Sequence, residues 1–172
     1  MVMIEPIKLS DIRSGDRIDL AASGDERDAI VDQLALVSLT RFEAHAVLER
    51  EGERVTATGR VKAEAAQECV ATGQPVSETV DEAFTLVFLP VPHAEAEEEV
   101  ELGADEMDVI FHDGARIDLG AALIDTLSLS LDPYPRSAEA DAAMKEAGIL
   151  SEEEAGPFGV LAALKDKMQR DS

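Results

Sequence analysis

At 172 residues the chain has the length of one ordinary domain, and its 45% hydrophobic content can bury about 70% of the surface its unfolded form exposes. Only 3% of residues are aromatic, with no Trp and one Tyr, so Val, Leu, Ile and Ala must make most of the core, which favours modest packing units over a deep aromatic pocket. A formal charge of -22, from 37 acidic against 15 basic residues, repels nucleic-acid phosphates at long range and favours a cationic partner.

The segment from Met1 to Ser10 mixes Glu5 and Lys8 with apolar residues and has neither a long apolar run nor a small-residue cleavage site. No stretch of the sequence approaches the ~20 apolar residues of a membrane-spanning helix. These features lead to the expectation of a soluble, cytoplasmic protein with no membrane partner. A short strand is predicted at Arg17 to Ala21, and Ser23-Gly24-Asp25-Glu26 then has capping-box spacing. It opens a helix predicted over Gly24 to Leu36, with Ile30, Leu34 and Val37 on one side.

Two alternating segments follow. Phe42, Ala44, Ala46 and Leu48 alternate with charged residues; after the Glu51-Gly52 turn, Val55, Ala57, Val61, Ala63 and Ala65 do the same. This pattern predicts an antiparallel hairpin with one apolar face. Gly59 falls on the inward set, where a missing side chain indicates a bulge, a bend or the close approach of another backbone. On the outward set Arg41, Arg54, Arg60 and Lys62 form the one basic concentration, interleaved with Glu43, Glu49 and Glu64. They are candidates for phosphate contact, although cross-strand ion pairing explains the pattern slightly better, and no aromatic side chain lies among them to stack on bases.

Cys69 stands alone, which excludes an intramolecular disulfide and any multi-cysteine zinc site and suits a reducing compartment. With no cation, helix start or histidine tied to it by sequence, it reads as a packed bystander thiol rather than a nucleophile. Beyond the turn at Thr72-Gly73-Gln74-Pro75, a third strand is predicted from Val76 to Leu89, its end buried on both faces. Between His93 and Asp113 the chain carries acidic residues and no Lys or Arg, read as a solvated acidic loop.

Asp113-Gly114 between Val109-Ile110-Phe111 and Arg116-Ile117 predicts a hairpin turn. Asp118 then caps a helix with Leu119, Ala122, Leu123, Leu127 and Leu131 at core spacing, stopped by Asp132-Pro133. A short helix near Glu139 to Ala147 and a last one at about 157–168, started by Pro157, complete the chain. The expected fold is α+β: an antiparallel, curved or barrel-like sheet of five or six strands, two main helices and a peripheral C-terminal helix. Residues 1–132 form the expected core domain and 133–172 an extension.

The order and spacing of several motifs carry a resemblance. Cys69-Val-Ala-Thr72-Gly-Gln-Pro75 is followed by Val80-Asp81-Glu82-Ala83-Phe84, then by Ile117-Asp118-Leu119-Gly120 opening the leucine-rich helix, and by Pro157-Phe158 near the end. From about residue 5 to residue 168 this series resembles the YceD family of large ribosomal RNA subunit accumulation proteins. The resemblance implies a role in accumulation or processing of 23S ribosomal RNA in bacteria and chloroplasts, and brings no catalytic residues. The family commonly has Cys-x-x-Cys-x-x-Pro where this chain has Cys69, Thr72 and Pro75, and some members add cysteines after the leucine-rich helix. Here the second position is Thr72 and no cysteine follows Pro133, so zinc binding is not carried over.

Three functions are weighed. The first is a non-catalytic assembly factor, without cofactor or metal, holding a basic ribosomal protein or a ribonucleoprotein assembly intermediate against its acidic surface, with no DNA partner. The second is direct ribosomal RNA binding through Arg41, Arg54, Arg60 and Lys62. The third is an RNA-processing hydrolase using Asp81 and Glu82 with Mg²⁺, in an acidic group that also includes Glu78. Strand alternation opposes it, because Asp81 points away from the face of Glu78 and Glu82, and His45, His93 and His112 lack ligand spacing.

Overall fold

The computed structural model describes residues 5–92 and 108–148. Its element order is β1 (Ile7–Lys8), β2 (Asp16–Ala21), α1 (Gly24–Leu34), β3 (Ser38–Glu51), β4 (Arg54–Glu68), β5 (Pro75–Pro90), β6 (Asp108–His112), β7 (Arg116–Ile117), α2 (Leu119–Ser130) and α3 (Ala140–Glu146). Inter-residue contacts divide the chain into two compact units, Met1–Gln67 with Ser77–Pro133, and Glu68–Val76 with Tyr134–Ser172.

The first unit is built on a five-stranded sheet of order β2-β3-β4-β5-β6, with β1 and β7 pairing separately. The predicted hairpin is β3-β4, in the expected phase. Phe42, Ala44, Ala46 and Leu48 on β3, and Val55, Ala57, Val61, Ala63 and Ala65 on β4, are buried in one core cluster. Their charged neighbours face outward, as the period of two requires. The end of β5 is buried on both faces, at Leu86, Val87 and Phe88. The α2 stripe of Leu119, Ala122, Leu123 and Leu127, continued by Leu131, is also core.

The fold is α+β, but the sheet departs from the expected one in two respects. It is mixed, since β6 runs parallel to β5 with Leu86 opposite Asp108 and Pro90 opposite His112. It is also open, with β2 and β6 as its edges. A parallel pair cannot be joined by a tight turn and needs a crossover of a dozen or more residues. The acidic 93–113 stretch, read as a loop, supplies that length and ends in β6; its residues 93–107 lie outside the described residues, as does the helix expected at 157–168.

Asp113-Gly114 is a turn but not a hairpin. Asp113 Oδ1 accepts from Ala115 N at 2.8 Å and Arg116 N at 3.2 Å, and Gly114 takes φ 86°. These bonds hold the Asp113 carboxyl below its ordinary pKa. The chain leaves the main sheet there, and β7 pairs with β1. His112 fixes this corner. Gly114 N–H reaches Nδ1 at 2.9 Å, so Nδ1 accepts and Nε2–H donates to Glu53 O at 2.7 Å, joining the corner to the β3-β4 turn.

Helix α1 shows what sequence spacing misses at its end. It stops at Leu34 because Ala35 turns left-handed at φ 52° while its N–H bonds Val31 O. Val37, expected on the apolar stripe, is therefore off the helix and 42% exposed, whereas Ile30 is buried. Its start is as predicted: Ser23 Oγ accepts from Glu26 N at 3.3 Å and Glu26 Oε2 accepts from Ser23 N at 2.7 Å. Ser23→Ala removes one half of this box and is expected to cost about 1 kcal/mol, read as a lower denaturant midpoint by circular dichroism.

In the second unit the 69–74 loop is closed by Cys69 N–H to Gln74 O and Gly73 N–H to Cys69 O, both 2.8 Å. Val70 N–H bonds Pro135 O at 2.9 Å, and Ala140 N–H bonds Ser137 O at 3.0 Å at the start of α3.

Candidate functional site

The outer face of β2-β3-β4-β5 collects the candidate charged residues, and the register decides which of them meet. Asp19 lies opposite His45, and Ala21 opposite Glu43. His45 lies opposite Arg60, Glu43 opposite Lys62, and Arg41 opposite Glu64. Directly paired residues on one face have Cβ atoms about 4.5–5.5 Å apart, so each row brings charges into contact.

Every cation at the centre of this face has a carboxylate. Arg41 is paired with Glu43 and, at 3.8 Å, with Glu64, and these contacts raise its already high pKa. Arg60 Nε donates to Asp81 Oδ1 at 2.8 Å, its Nη2 donates to Asp81 O at 3.3 Å, and Lys62 Nζ lies 3.9 Å from Asp81 Oδ2. The hydrogen bond from Arg60, then the charges of Arg60 and Lys62, hold the Asp81 carboxyl below its usual range. His45 Nδ1 lies 2.7 Å from Asp19 Oδ1, both side chains well exposed. Arg41, Arg60 and Lys62 thus come together, while Arg54 sits at the hairpin end opposite Glu51. The cross-strand ion pairing read from the sequence is what the structure shows; the Asp81 and Asp19 partners come from strands whose register the sequence did not give.

Between these rows lies a concavity of about 640 Å³ lined by Asp19, Leu20, Ala21, Glu43, Ala44, His45, Gly59, Arg60 and Lys62. Its outward positions are Asp19, Ala21, Glu43, His45, Arg60 and Lys62, whereas Leu20, Ala44 and Gly59 belong to the core-facing set.

The acidic trio Glu78, Asp81 and Glu82 does not converge. Asp81 faces Arg60 and Lys62, while Glu78 takes Gln67 Nε2 at 3.1 Å and the Asp132 N–H at 3.1 and 3.2 Å. Among the described residues no group of three or more His, Cys, Asp or Glu side chains is placed to hold a metal ion.

Several motif residues have structural tasks. Asp118 Oδ1 caps α2 by accepting from Ala121 N at 2.9 Å. Leu119 and Gly120 are buried in its first turn, and Phe84 is buried in the sheet core. Pro75 is the exposed first residue of β5.

Cys69 is buried, as a packed thiol should be, but its sulfur has polar partners. Its thiol is pulled down to about 6, first by the Thr72 hydroxyl and then by Ser137, whose N–H reaches Sγ at 3.2 Å; desolvation pushes the other way and is outweighed. Thr72 Oγ1 and Ser137 Oγ are 3.2 Å apart beside it. The sequence had no charge or helix start to show this, and its signal, hydroxyls at Thr72 and Ser137, became visible only when the fold joined the two segments. The zinc implied by the cysteine pairs of the resembling family does not fit here, because one thiolate among hydroxyl and amide donors is not a tetrahedral thiolate set.

No helix among the described residues is long and apolar enough to cross a membrane. Comparison with curated proteins and with solved structures gave no match. The family model for "Large ribosomal RNA subunit accumulation protein YceD" matches residues 57–165, from within β4 onward, leaving β1 to β3 outside the matched span. That span holds the Cys69 loop, the Asp81 strand and the capped α2, and covers more than half of the sequence, so this chain belongs to the YceD family of large ribosomal RNA subunit accumulation proteins.

Proposed function

We propose that the protein supports large-subunit ribosomal RNA accumulation in the cytoplasm without catalysis, by presenting an acidic surface to a basic ribosomal protein or a ribonucleoprotein assembly intermediate. The observation that carries this reading is the internal neutralisation of the strand face. Arg41, Arg60 and Lys62 are already matched by Glu43, Glu64 and Asp81, so they form no uncompensated basic patch in a chain whose net charge is -22. Acidic side chains elsewhere on the surface, such as Asp25, Asp28 and Asp32 on α1, are exposed. The resulting field accelerates encounter with a cationic partner and disfavours free RNA.

Affinity capture of the tagged protein from growing cells tests it. A basic large-subunit protein is expected at low salt and is expected to be released as salt rises through the range where the screening length falls to about 8 Å and below. Salt-insensitive capture, or precursor RNA without protein, overturns the acidic-surface mechanism.

A further inference from the structure

We propose that the open edge of β2 takes up an extended segment of a protein partner as an added strand, and that this segment alternates basic with apolar residues. Such docking deepens the acidic-surface reading, on which it rests for the sign of the partner's charge, by naming where and in what conformation the partner binds.

β2 closes one side of the five-stranded sheet and has a neighbour only in β3. Ala22 N–H donates to Phe42 O. An antiparallel ladder alternates, so Leu20 and Ile18 also turn their backbone groups to β3. Arg17, Asp19 and Ala21 turn theirs to the open side, where among the described residues no backbone group pairs with them. A row of unpaired N–H and C=O groups on an exposed strand is a template for another strand.

The side chains beside this edge select what is added. Between β1 and β2 lies a groove of about 410 Å³ whose apolar lining is Pro6, Ile7, Ile12, Ile18 and Leu48. Ile18 and Leu48 have the core-facing phase, so a strand laid along β2 brings every second side chain over them. Those positions of the partner are apolar. Glu5, Asp11 and Asp16 line the same groove against Lys8 and Arg17, and Asp19 adds an exposed carboxylate on the outer face of the edge. The partner's remaining positions, which face outward beside Asp19, are therefore basic, in keeping with the charge of -22. That charge also repels a second copy of this chain, and the charged side chains of Arg17 and Asp19 keep neutral strands off the edge.

The test is an amide NMR study of the full chain at low ionic strength with a short capped peptide of alternating Lys and Val. Saturable shifts are expected from Arg17 to Ala21 and at Ile7 and Leu48. At saturation the amides of Arg17, Asp19 and Ala21 are expected to exchange with solvent at least about tenfold more slowly, while those of Ile18 and Leu20 change little. Methylating the Lys amides of the peptide blocks the bonds of an antiparallel added strand, and methylating the Val amides blocks those of a parallel one. One isomer is expected to bind at least about tenfold more weakly and the other to bind as before. Asp19→Asn is expected to weaken binding and Arg17→Ala to strengthen it, each by up to about fivefold.

Equal binding of the two methylated isomers, or of a block peptide with all its Lys before all its Val, would overturn strand addition and leave the acidic-surface reading standing. Equal binding of an alternating Glu and Val peptide would overturn both. Edge shifts that grow with protein concentration and ignore the peptide would give the edge to a second copy, and no saturable binding at low ionic strength would likewise sink the proposal.

Discussion

Gly59→Ala is expected to cost at least about 3 kcal/mol, and Gly59→Val to prevent folding. A Cβ at this position would lie 1.8 Å from the His45 carbonyl oxygen and 2.9 Å from both Ala46 Cα and His45 C. All three are backbone atoms of the neighbouring strand, so no side chain can swing aside. Relief requires moving β3 against β4 in the middle of a long ladder, where Ala46 pairs with Gly59 and buried Ala44 and Leu48 lie one inward position to either side. Gly24→Ala is the control: a Cβ there meets nothing within 4 Å at the first turn of α1, and the change is expected to stay within about 0.5 kcal/mol. With no Trp in the chain, urea unfolding followed by circular dichroism is the suitable readout. A Gly59→Ala midpoint equal to that of Gly24→Ala would mean that the strands separate there without cost.

The same position shows how far the sequence could be read. Its inward phase was legible from the alternation of Val55, Ala57, Val61 and Ala63, and close approach was one of three explanations for a missing side chain. The structure selects that one: the ladder is continuous through Gly59, and its only shift is between Leu39 and Arg41. Local signals of this kind, including the Ser23 box and the α2 leucine stripe, depend on neighbours within a few residues. What stayed hidden depends on partners far along the chain. Nothing in Val109-Ile110-Phe111 distinguishes a parallel partner from an antiparallel one, and Asp113-Gly114 reads as a hairpin turn until its carboxylate is seen holding the next two amides. The candidate site divides in the same way. Arg41, Glu43, Glu64, Arg60 and Lys62 could be placed on one face from β3 and β4 alone. Asp19 and Asp81, which pair with His45 and the two cations, lie on β2 and β5, far along the chain from their partners.

The single thiol provides the second large effect. Absorbance of thiolate near 240 nm, unambiguous because Cys69 is the only cysteine, is expected to titrate with a midpoint of about 6 rather than near the ordinary ~8.5 of a free cysteine. The cause is hydrogen bonding to sulfur, with no cation among the described residues contributing. Thr72 is the largest contributor, followed by the Ser137 amide at 3.2 Å, and both stabilise the anion against the burial that would neutralise it. Thr72→Val removes the leading donor at nearly constant volume and is expected to move the midpoint upward, while Ser137→Ala, which keeps the amide, moves it less. The sign for stability follows from linkage. The folded-state pKa is depressed, so the unfolded chain holds the proton more tightly. The contribution is complete above the unfolded value near 8.5 and declines as pH falls, disappearing below about 6. Cys69→Ser should therefore flatten the rise in urea midpoint between pH 6 and 9. A midpoint near 8.5 in the unmodified protein would show that the hydroxyls at Thr72 and Ser137 satisfy each other across their 3.2 Å contact and leave the sulfur as an ordinary buried thiol.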